Sequence, residues 1–280
     1  MSPSALAEMK ERRHPADTHT LTPGTTPLVI SVPHSGTAIP PYLMPQLTPL
    51  ARKLPDTDWH VARLYDFAAA LGATLIVARY TRYQVDLNRP PDDAALYAAG
   101  PATGLCPAQS FAGEALYIDG RAGVEAGEVA RRRAQYWQPY HDELRTRLAL
   151  LRERHGYALL LDAHSIRSEV PRLFESTLPD INLGTYGGRS CSREVSAAVQ
   201  AQLANATRFS HVVDGRFKGG YITRHYGSPE HRVHALQIEL AQSCYMDEAG
   251  TAYDPERAAP LRETLQRIVE ALLELPLASG

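Results

Sequence analysis

The sequence predicts a single α/β domain whose mostly parallel, mixed sheet is covered by helices on both faces. Short apolar runs rich in β-branched residues alternate with longer segments of helical periodicity, which is typical of parallel strands joined by helical crossovers. Two of these runs, residues 28–34 and 157–165, each deliver a histidine near the point where the run stops. The chain has 280 residues and no internal repeat or linker, so we expect one domain over 1–280.

The first half of the chain is predicted to combine three strands with two helices. Residues 1–26 are polar and rich in proline and threonine, so we expect an N-terminal arm with a short edge strand. Strands are expected at residues 28–34, 74–77 and 83–87. A helix follows Asp56 and Asp58, residues 90–127 form a loop that frames a pocket, and residues 128–154 form a long helix.

The second half begins with the strand at 157–165 and an irregular segment at 166–192. Residues 193–203 are predicted to form a helix, and two further strands are expected at 221–224 and 234–241. Asp254 is the expected N-cap of a final helix over 255–275. The alternation of strand and helix favours a mostly parallel sheet.

Composition excludes several classes of function. The net charge of -2 provides no electrostatic footprint for nucleic acid or an anionic membrane surface. The three cysteines lie far apart and fit free thiols in a reducing compartment. The N-terminus lacks the apolar core of a secretory signal, and no apolar run is long enough to span a bilayer. We therefore expect a cytoplasmic protein with a small-molecule substrate, and no pattern indicates its oligomeric state.

His34 and His164 lie at the ends of two predicted strands. In open α/β sheets, ligands bind outside the carboxyl ends of the strands, so these imidazoles are expected to share a site. If either histidine were considered by itself, a structural hydrogen bond would be the alternative to a role as a ligand. Asp162 lies two residues before His164 and points to the same side of a strand, where it would orient the imidazole or make a structural hydrogen bond.

The two imidazoles predict one divalent metal ion. A hydrolytic zinc ion has three protein ligands and an open position, so a carboxylate ligand is also required. Asp56 and Asp58 are the candidates, and helix capping is the alternative role for either of them. Zinc is the expected metal, although histidine and carboxylate ligands also suit cobalt, iron or nickel.

Six short motifs occur in order between residues 27 and 247. They are 33–36 (PHSG), Asp58 with the helix after it, 86–91 (DLNRPP), 162–165 (DAHS), 219–227 (GGYITRHYG) and 237–240 (QIEL). Each motif alone is weak, but together and in this order they are specific. With them the chain resembles the N-formylglutamate deformylase (N-formylglutamate amidohydrolase) family.

The resemblance implies hydrolysis of N-formyl-L-glutamate to formate and L-glutamate, a step of histidine degradation. It also implies a fold like that of the zinc exopeptidases, of the phosphorylase/hydrolase type, and a metal held by His34 and His164. Related deacylases carry a His-x-x-Glu ligand pair, but Thr37 stands where that glutamate would be. Asp58 is therefore the expected third ligand, with Asp56 as the alternative.

Glu239 is the expected general base. It alternates with Ile238 and Leu240 in an apolar strand, and a carboxylate buried there needs a partner or a raised pKa. It would take a proton from a metal-activated water and pass it to the departing amine. An exposed strand carboxylate is the alternative. Arg224 or His225 is the expected donor to the oxyanion.

Asn88 and Arg89 are expected to bind a substrate carboxylate, as a similar pair does in zinc carboxypeptidases. An ion pair of Arg89 with Asp86 or Asp92 is the alternative. Thr185 is expected to line the pocket. The candidates for the cation that binds the second carboxylate are Arg82, Arg167, Arg172, Arg189, Arg216 and Arg224. Of these, Arg172 and Arg224 lie nearest the motifs.

Two other functions fit the same residues. One is a deacylase for another N-acyl acidic amino acid, such as an acetyl or succinyl derivative. The other is a metal-free protein that binds an acidic amino acid through its arginines.

Overall fold

Seven strands form one mixed sheet in the computed structural model, which describes residues 17–95 and 103–277. In chain order they are β1 (His19–Thr22), β2 (Leu28–Val32), β3 (Thr74–Ala78), β4 (Ala158–Ile166), β5 (Ile181–Gly184), β6 (His211–Val213) and β7 (Val233–Ala241). Their order across the sheet is β1-β3-β2-β4-β7-β5-β6.

The centre of the sheet is parallel and the antiparallel pairs lie toward its edges. Strands β3, β2, β4 and β7 run parallel, whereas β1 is antiparallel to β3 and β5 is antiparallel to β7. Because β2, β4 and β7 are neighbours that run parallel, their carboxyl ends lie side by side.

Strand β1 confirms the edge strand that the sequence predicts before residue 26. Residues 1–16 of the predicted arm lie outside the described residues.

The α-helices connect or flank these strands. They are α1 (Val61–Leu64), α2 (Ala126–Arg132), α3 (Gln138–His155), α4 (Arg193–Asn205), α5 (Tyr221–Tyr226) and α6 (Pro255–Leu273). One π-helical turn, Arg133–Trp137, joins α2 to α3. Short 3₁₀ helices lie at Met44–Gln46, Ala51–Lys53, Asp66–Ala69, Pro229–His231 and Gln242–Cys244. In the described part of the chain, no helix has the length and apolar character needed to cross a membrane.

Both faces of the sheet are covered, as the sequence predicts. Strand β2 is buried throughout, and its alternate side chains enter different cores. Ile30 packs with apolar residues of α1, α4 and α6, whereas Val29 packs with residues of α3 and α5. This two-sided burial explains why the central strands are continuous apolar runs rather than alternating ones.

The predicted strand at 83–87 is wrong. All five residues are buried, but their backbone groups bond to side chains and loops instead of a neighbouring strand. The carbonyls of Tyr83 and Gln84 accept from Arg132, and the amide of Asp86 donates to the carbonyl of Leu105. The apolar alternation of this segment therefore reflects a buried loop.

The predicted strand at 221–224 is also wrong, because these residues begin helix α5. The amide of Ile222 donates to Oδ1 of Asn88 at 2.8 Å, so the first turn is capped by a residue far away in the sequence. Gly220 is required before it, since a Cβ there would lie 2.3 Å from Nδ2 of Asn88. β-Branched residues favour a strand locally, but this tertiary cap favours the helix.

Three further differences concern one strand and two helices. Within the irregular segment expected at 166–192, the structure contains β5, a buried four-residue strand between β7 and β6 that is too short to show a period. The helix expected after Asp58 is only one turn, followed by a 3₁₀ turn. The long helix at 128–154 is confirmed, but it contains the π turn, which periodicity alone does not reveal.

Candidate active site

Three ligand-type side chains meet at the carboxyl ends of β2 and β4. His34 follows β2, His164 lies in β4, and Asp58 precedes α1. Oδ2 of Asp58 lies 2.9 Å from Nδ1 of His164 and 3.8 Å from Nδ1 of His34. One ligand atom from each residue lies within 4.8 Å of the others, and all three side chains are buried. This His34–Asp58–His164 group could hold a metal ion.

The backbone fixes Asp58 in this group. Its amide donates to the carbonyl of His34 at 3.1 Å, and its Oδ2 accepts from the amide of Ser165 at 3.1 Å. Asp56, the alternative ligand, instead accepts from the amide of Phe111 and is not part of the group. Both Asp56 and Asp58 are candidates for the third metal ligand in the sequence, and the geometry favours Asp58.

Each imidazole has a carboxylate behind it. Nε2 of His34 lies 2.7 Å from Oδ1 of Asp86, and Nε2 of His164 lies 2.9 Å from Oδ2 of Asp162. A carboxylate at Nε2 keeps a proton on that nitrogen, so Nδ1 is the nitrogen that can give up its proton and bind a metal. Both Nδ1 atoms face Asp58, so both rings have the orientation that ligands of one ion require.

The spacing of these atoms fits a tetrahedral ion. Two ligand atoms about 2.1 Å from one zinc ion lie roughly 3.4 Å apart in tetrahedral geometry. The distances of 2.9 and 3.8 Å from Oδ2 of Asp58 bracket that value. The second oxygen, Oδ1, is buried without a hydrogen-bond partner among the described residues. Such a buried, unpartnered carboxylate oxygen is consistent with a cation at this position.

The charges of the group are strongly coupled. Burial opposes ionisation of Asp58, but the hydrogen bond from His164 and the nearby cations outweigh it and lower the pKa of Asp58. Burial also opposes protonation of His164, yet Asp162 and Asp58 raise its pKa well above the usual value. Burial, reinforced by Arg82, lowers the pKa of His34. Asp58 is therefore anionic at neutral pH, as a metal ligand must be.

Glu239 lies next to this group on β7, where it is paired with His164 in the strand register. Its side chain is only 6% exposed, and burial raises its pKa to about 8. Nε2 of Gln237 donates to its Oε2 at 3.0 Å, and Oε1 of Gln237 accepts from the amide of Gly220 at 2.6 Å. A carboxyl group with a pKa near neutrality in a buried cleft is typical of an acid–base catalyst.

A cavity of about 80 Å³ opens above the His34–Asp58–His164 group and Glu239. Its lining includes four arginines, namely Arg82, Arg89, Arg172 and Arg216. Arg82 is paired with Oδ2 of Asp86 at 2.7 Å and lies 3.7 Å from Oδ1 of Asp58. Four cationic side chains around so small a space favour an anionic ligand.

Arg89 and Arg172 are held differently from Arg82. Nε of Arg89 donates to the carbonyl of Thr103 at 2.7 Å, and Nη1 of Arg172 donates to the carbonyl of Ser110 at 3.2 Å. Within residues 17–95 and 103–277, their hydrogen bonds go to uncharged oxygens. The expected alternative for Arg89, an ion pair with Asp86 or Asp92, is therefore not formed there.

The side-chain amide of Asn88 is bonded to other groups of the protein. Its Nδ2 lies 3.1 Å from Oδ2 of Asp162 and 2.9 Å from Nε2 of His164, and its Oδ1 accepts from the amide of Ile222. Asn88 lines the cavity, but its amide is occupied by protein groups. Its contacts orient the residues behind the site.

Three other expected site residues lie elsewhere. Among the described residues, the cavity lining does not include Thr185, Arg224 or His225. Thr185 is bonded to Asp214, Arg224 donates to the carbonyl of Gly219, and the ring of His225 stacks on Tyr221 at 4.8 Å. The short motif that contains Arg224 and His225 becomes a helix rather than a strand, which changes the direction of both side chains.

From the sequence, Gln237 has no expected role, and Arg82 is only one of several candidates for binding a carboxylate. Gln237 shares a strand face with Glu239 at a spacing of two residues, so the alternation contains the signal for it. Arg82 has no such signal, because it precedes the segment 83–87 and belongs to none of the predicted strands or helices. Only its contacts with Asp86 and Asp58 identify it as part of the site.

A buried group of imidazoles and a carboxylate beside a buried glutamate, at the carboxyl edge of a parallel sheet, is the arrangement of a hydrolytic enzyme. Residues 26–246 match the model of the N-formylglutamate amidohydrolase family. The chain belongs to the N-formylglutamate amidohydrolase family, and it is a hydrolase that acts on an amide bond.

Relatives support this assignment. The chain is 51% identical over 252 residues to an N-formylglutamate deformylase of Pseudomonas putida, an alignment that covers 89% of this chain and 93% of the relative. It is 52% identical over 251 residues to an N-formylglutamate deformylase of Pseudomonas aeruginosa, and this alignment covers 89% of this chain and 94% of the relative. Its fold is similar to that in the crystal structure of an N-formylglutamate amidohydrolase from Ralstonia eutropha JMP134, with a TM-score of 0.78 and 24% sequence identity. That structural alignment covers 90% of this chain and 96% of the Ralstonia chain.

Proposed function

We propose that this protein hydrolyses N-formyl-L-glutamate to formate and L-glutamate. The names of the two Pseudomonas relatives support the substrate. The observation that carries the proposal is the buried His34–Asp58–His164 group beside Glu239, at the base of an arginine-lined cavity.

A single divalent ion would be held by Nδ1 of His34, Nδ1 of His164 and a carboxylate oxygen of Asp58. The mixed nitrogen and oxygen donors favour zinc, and they also accept cobalt, iron or nickel. When bound, such an ion lowers the pKa of water to about 7 and polarises an amide carbonyl. Asp86 and Asp162 would hold the two rings in the ligand orientation through Nε2.

Glu239 acts as the general base in this proposal. It accepts the proton of the attacking water and delivers it to the amine nitrogen as the C–N bond breaks. Gln237 holds one carboxylate oxygen of Glu239, which leaves the other to receive the proton. Arg82, rather than Arg224 or His225, is the cation beside the reacting carbonyl, because it lines the cavity next to Asp58.

In this proposal, the two carboxylates of the substrate pair with the lining arginines other than Arg82. Arg89 and Arg172 are bonded to uncharged oxygens, so their charges are available to a bound anion. Arg216 also lines the cavity, and it donates to the carbonyl of Leu173 at 2.8 Å. A dicarboxylate would therefore place its acyl nitrogen toward Glu239 and its charges toward these arginines.

The test compares N-formyl-, N-acetyl- and N-succinyl-L-glutamate as substrates of one preparation whose metal content is measured. We expect the highest kcat/KM for the formyl derivative. Equal values for all three would contradict the proposed selectivity and favour a broader deacylase. Substoichiometric metal, with no hydrolysis after metal is added, would favour a metal-free binding protein instead.

A further inference from the structure

One segment of four residues, 86–89, contacts both imidazoles of the site. Asp86 lies behind His34, and Asn88 lies 2.9 Å from Nε2 of His164. The next residue, Arg89, lines the cavity. The backbone of this segment therefore sets the positions of groups on both sides of the site.

No strand holds this segment within the described residues, and two of its carbonyls, those of Leu87 and Arg89, bond to side chains of the long helix. Nε1 of Trp137 donates to the carbonyl of Arg89 at 3.0 Å. Nε2 of His141 lies 2.8 Å from the carbonyl of Leu87. Two buried donors on one helix thus replace the hydrogen bonds that a neighbouring strand would supply.

His141 has a defined tautomer in this arrangement. A carbonyl only accepts, so Nε2 must carry the hydrogen that bonds to Leu87. Burial lowers the pKa of His141 to about 3, so the ring is neutral and Nδ1 is an acceptor. Nδ1 lies 3.0 Å from the hydroxyl of Tyr226, which also lies 3.1 Å from the carbonyl of His141 and donates its single hydrogen to one of these two acceptors at a time. Trp137 stacks on His141 with ring centroids 3.7 Å apart, which holds both donors in place.

The π turn explains how the donors share one face of the helix. Arg132 also faces this loop, since its Nη1 donates to the carbonyls of Tyr83 and Gln84 at 3.3 Å. In a regular α-helix, residues five apart point in directions about 140° apart. The wider turn at Arg133–Trp137 brings Arg132 and Trp137 to the same side. The three side chains together hold the loop over 83–89.

We propose that Trp137 and His141 are positioning residues for the substrate-binding arginine Arg89. Their bonds to the carbonyls of Arg89 and Leu87 fix the backbone from which the Arg89 guanidinium extends into the cavity. This inference rests on the proposed function, in which Arg89 pairs with a substrate carboxylate. Neither Trp137 nor His141 is among the residues that line the cavity, so both act through the segment 86–89.

The first test is Trp137→Phe, which keeps an aromatic ring and removes the donor. We expect KM for N-formyl-L-glutamate to rise about fivefold to tenfold, because the variant loses one buried hydrogen bond. We expect kcat to stay within about twofold of the wild-type value. The Kd of L-glutamate, measured by calorimetry, should rise by a similar factor. A merely structural role would lower the melting temperature and the active fraction without changing KM or this Kd.

The matched control is Trp59→Phe. Nε1 of Trp59 is buried without a hydrogen-bond partner among the described residues, so the same chemical change removes no bond. We expect its KM and its Kd for L-glutamate to equal those of wild type. Equal increases in the two tryptophan variants would overturn the inference.

A second pair of variants tests His141. His141→Leu removes the donor and should raise KM and the Kd of L-glutamate, whereas His141→Gln keeps an N–H at a similar reach and should restore both. Failure of Gln to restore them, or unchanged values in Trp137→Phe, would overturn the inference. Wild-type protein that does not hydrolyse N-formyl-L-glutamate would instead overturn the proposed function, and the L-glutamate Kd values would still decide the positioning role.

Discussion

Strand ends build one side of the cavity and loops build the other. His164 and Glu239 are on the adjacent strands β4 and β7, and His34 follows the neighbouring strand β2. Arg89 and Arg172 are on connections between strands, and their guanidinium groups are held by loop carbonyls. The first side has its geometry set by the sheet register, whereas the second depends on how loops pack against helices.

The two sides also differ in how their charges are balanced. On the strand side, Asp86 lies between His34 and Arg82, and Asp58 lies between His34 and His164. The bonds of Arg89 and Arg172 to uncharged oxygens leave the loop side with excess positive charge. A balanced, rigid side suits a fixed metal and a base, and a cationic side suits an incoming dicarboxylate. Variants of the strand side should therefore affect kcat or metal content, and variants of the loop side should affect KM.

The largest expected effect belongs to Glu239→Gln. Gln cannot accept the proton of the attacking water, so we expect kcat to fall about a thousandfold with metal content unchanged. Steady-state kinetics and elemental analysis of the same sample would measure this. Glu263→Gln, an exposed position on α6, is the matched control and should behave as wild type. Wild-type kcat in the Glu239 variant would remove this residue from the mechanism.

The next largest effects concern the carboxylates behind the imidazoles. Asp86→Asn and Asp162→Asn keep the side-chain shape and remove the charge that holds each ring at Nε2. We expect metal affinity to weaken about 10- to 100-fold in each, measured by competition with a chelator. The exposed Asp119→Asn should leave metal affinity unchanged. Unchanged affinity in both buried variants would indicate that the rings are not metal ligands.

Arg89→Lys tests the loop side. An ammonium group cannot form two parallel hydrogen bonds with a carboxylate, so we expect KM to rise roughly tenfold with a smaller change in kcat. Arg224→Lys is the informative control, because the structure places Arg224 on α5, with its guanidinium 4.7 Å over the ring of Tyr186. Similar increases in KM for both variants would contradict the proposal that Arg89 binds the substrate and Arg224 does not.

The smallest effect is a pH dependence. Glu239 must be ionised to accept a proton, and burial raises its pKa to about 8. A bound cation would lower that value, so kcat/KM should fall as the pH decreases through a pKa at or below about 8. A pH profile from 5 to 9 would measure this limb. Activity that is constant from pH 5 to 9 would contradict a Glu239 pKa within that range.

The strand side of the cavity could be predicted from the sequence because strands have simple rules. Apolar runs end at fixed points, and alternate residues share a face, so His34, His164 and Glu239 are recognisable from their places in the runs. Residues carried by loops follow no such period. The role of Asn88 depends on a bond to Ile222, and that of Arg82 depends on Asp86 and Asp58. Such contacts arise only from the tertiary structure, which also turns 83–87 into a loop and 221–224 into a helix.

The central claim is that His34, Asp58 and His164 hold one metal ion. An anomalous-scattering map from crystals of the protein, recorded at the absorption edge of the metal found by elemental analysis, tests it most directly. We predict a single peak about 2.0–2.2 Å from Nδ1 of His34, Nδ1 of His164 and an oxygen of Asp58. The absence of a peak there in protein that hydrolyses N-formyl-L-glutamate would contradict it.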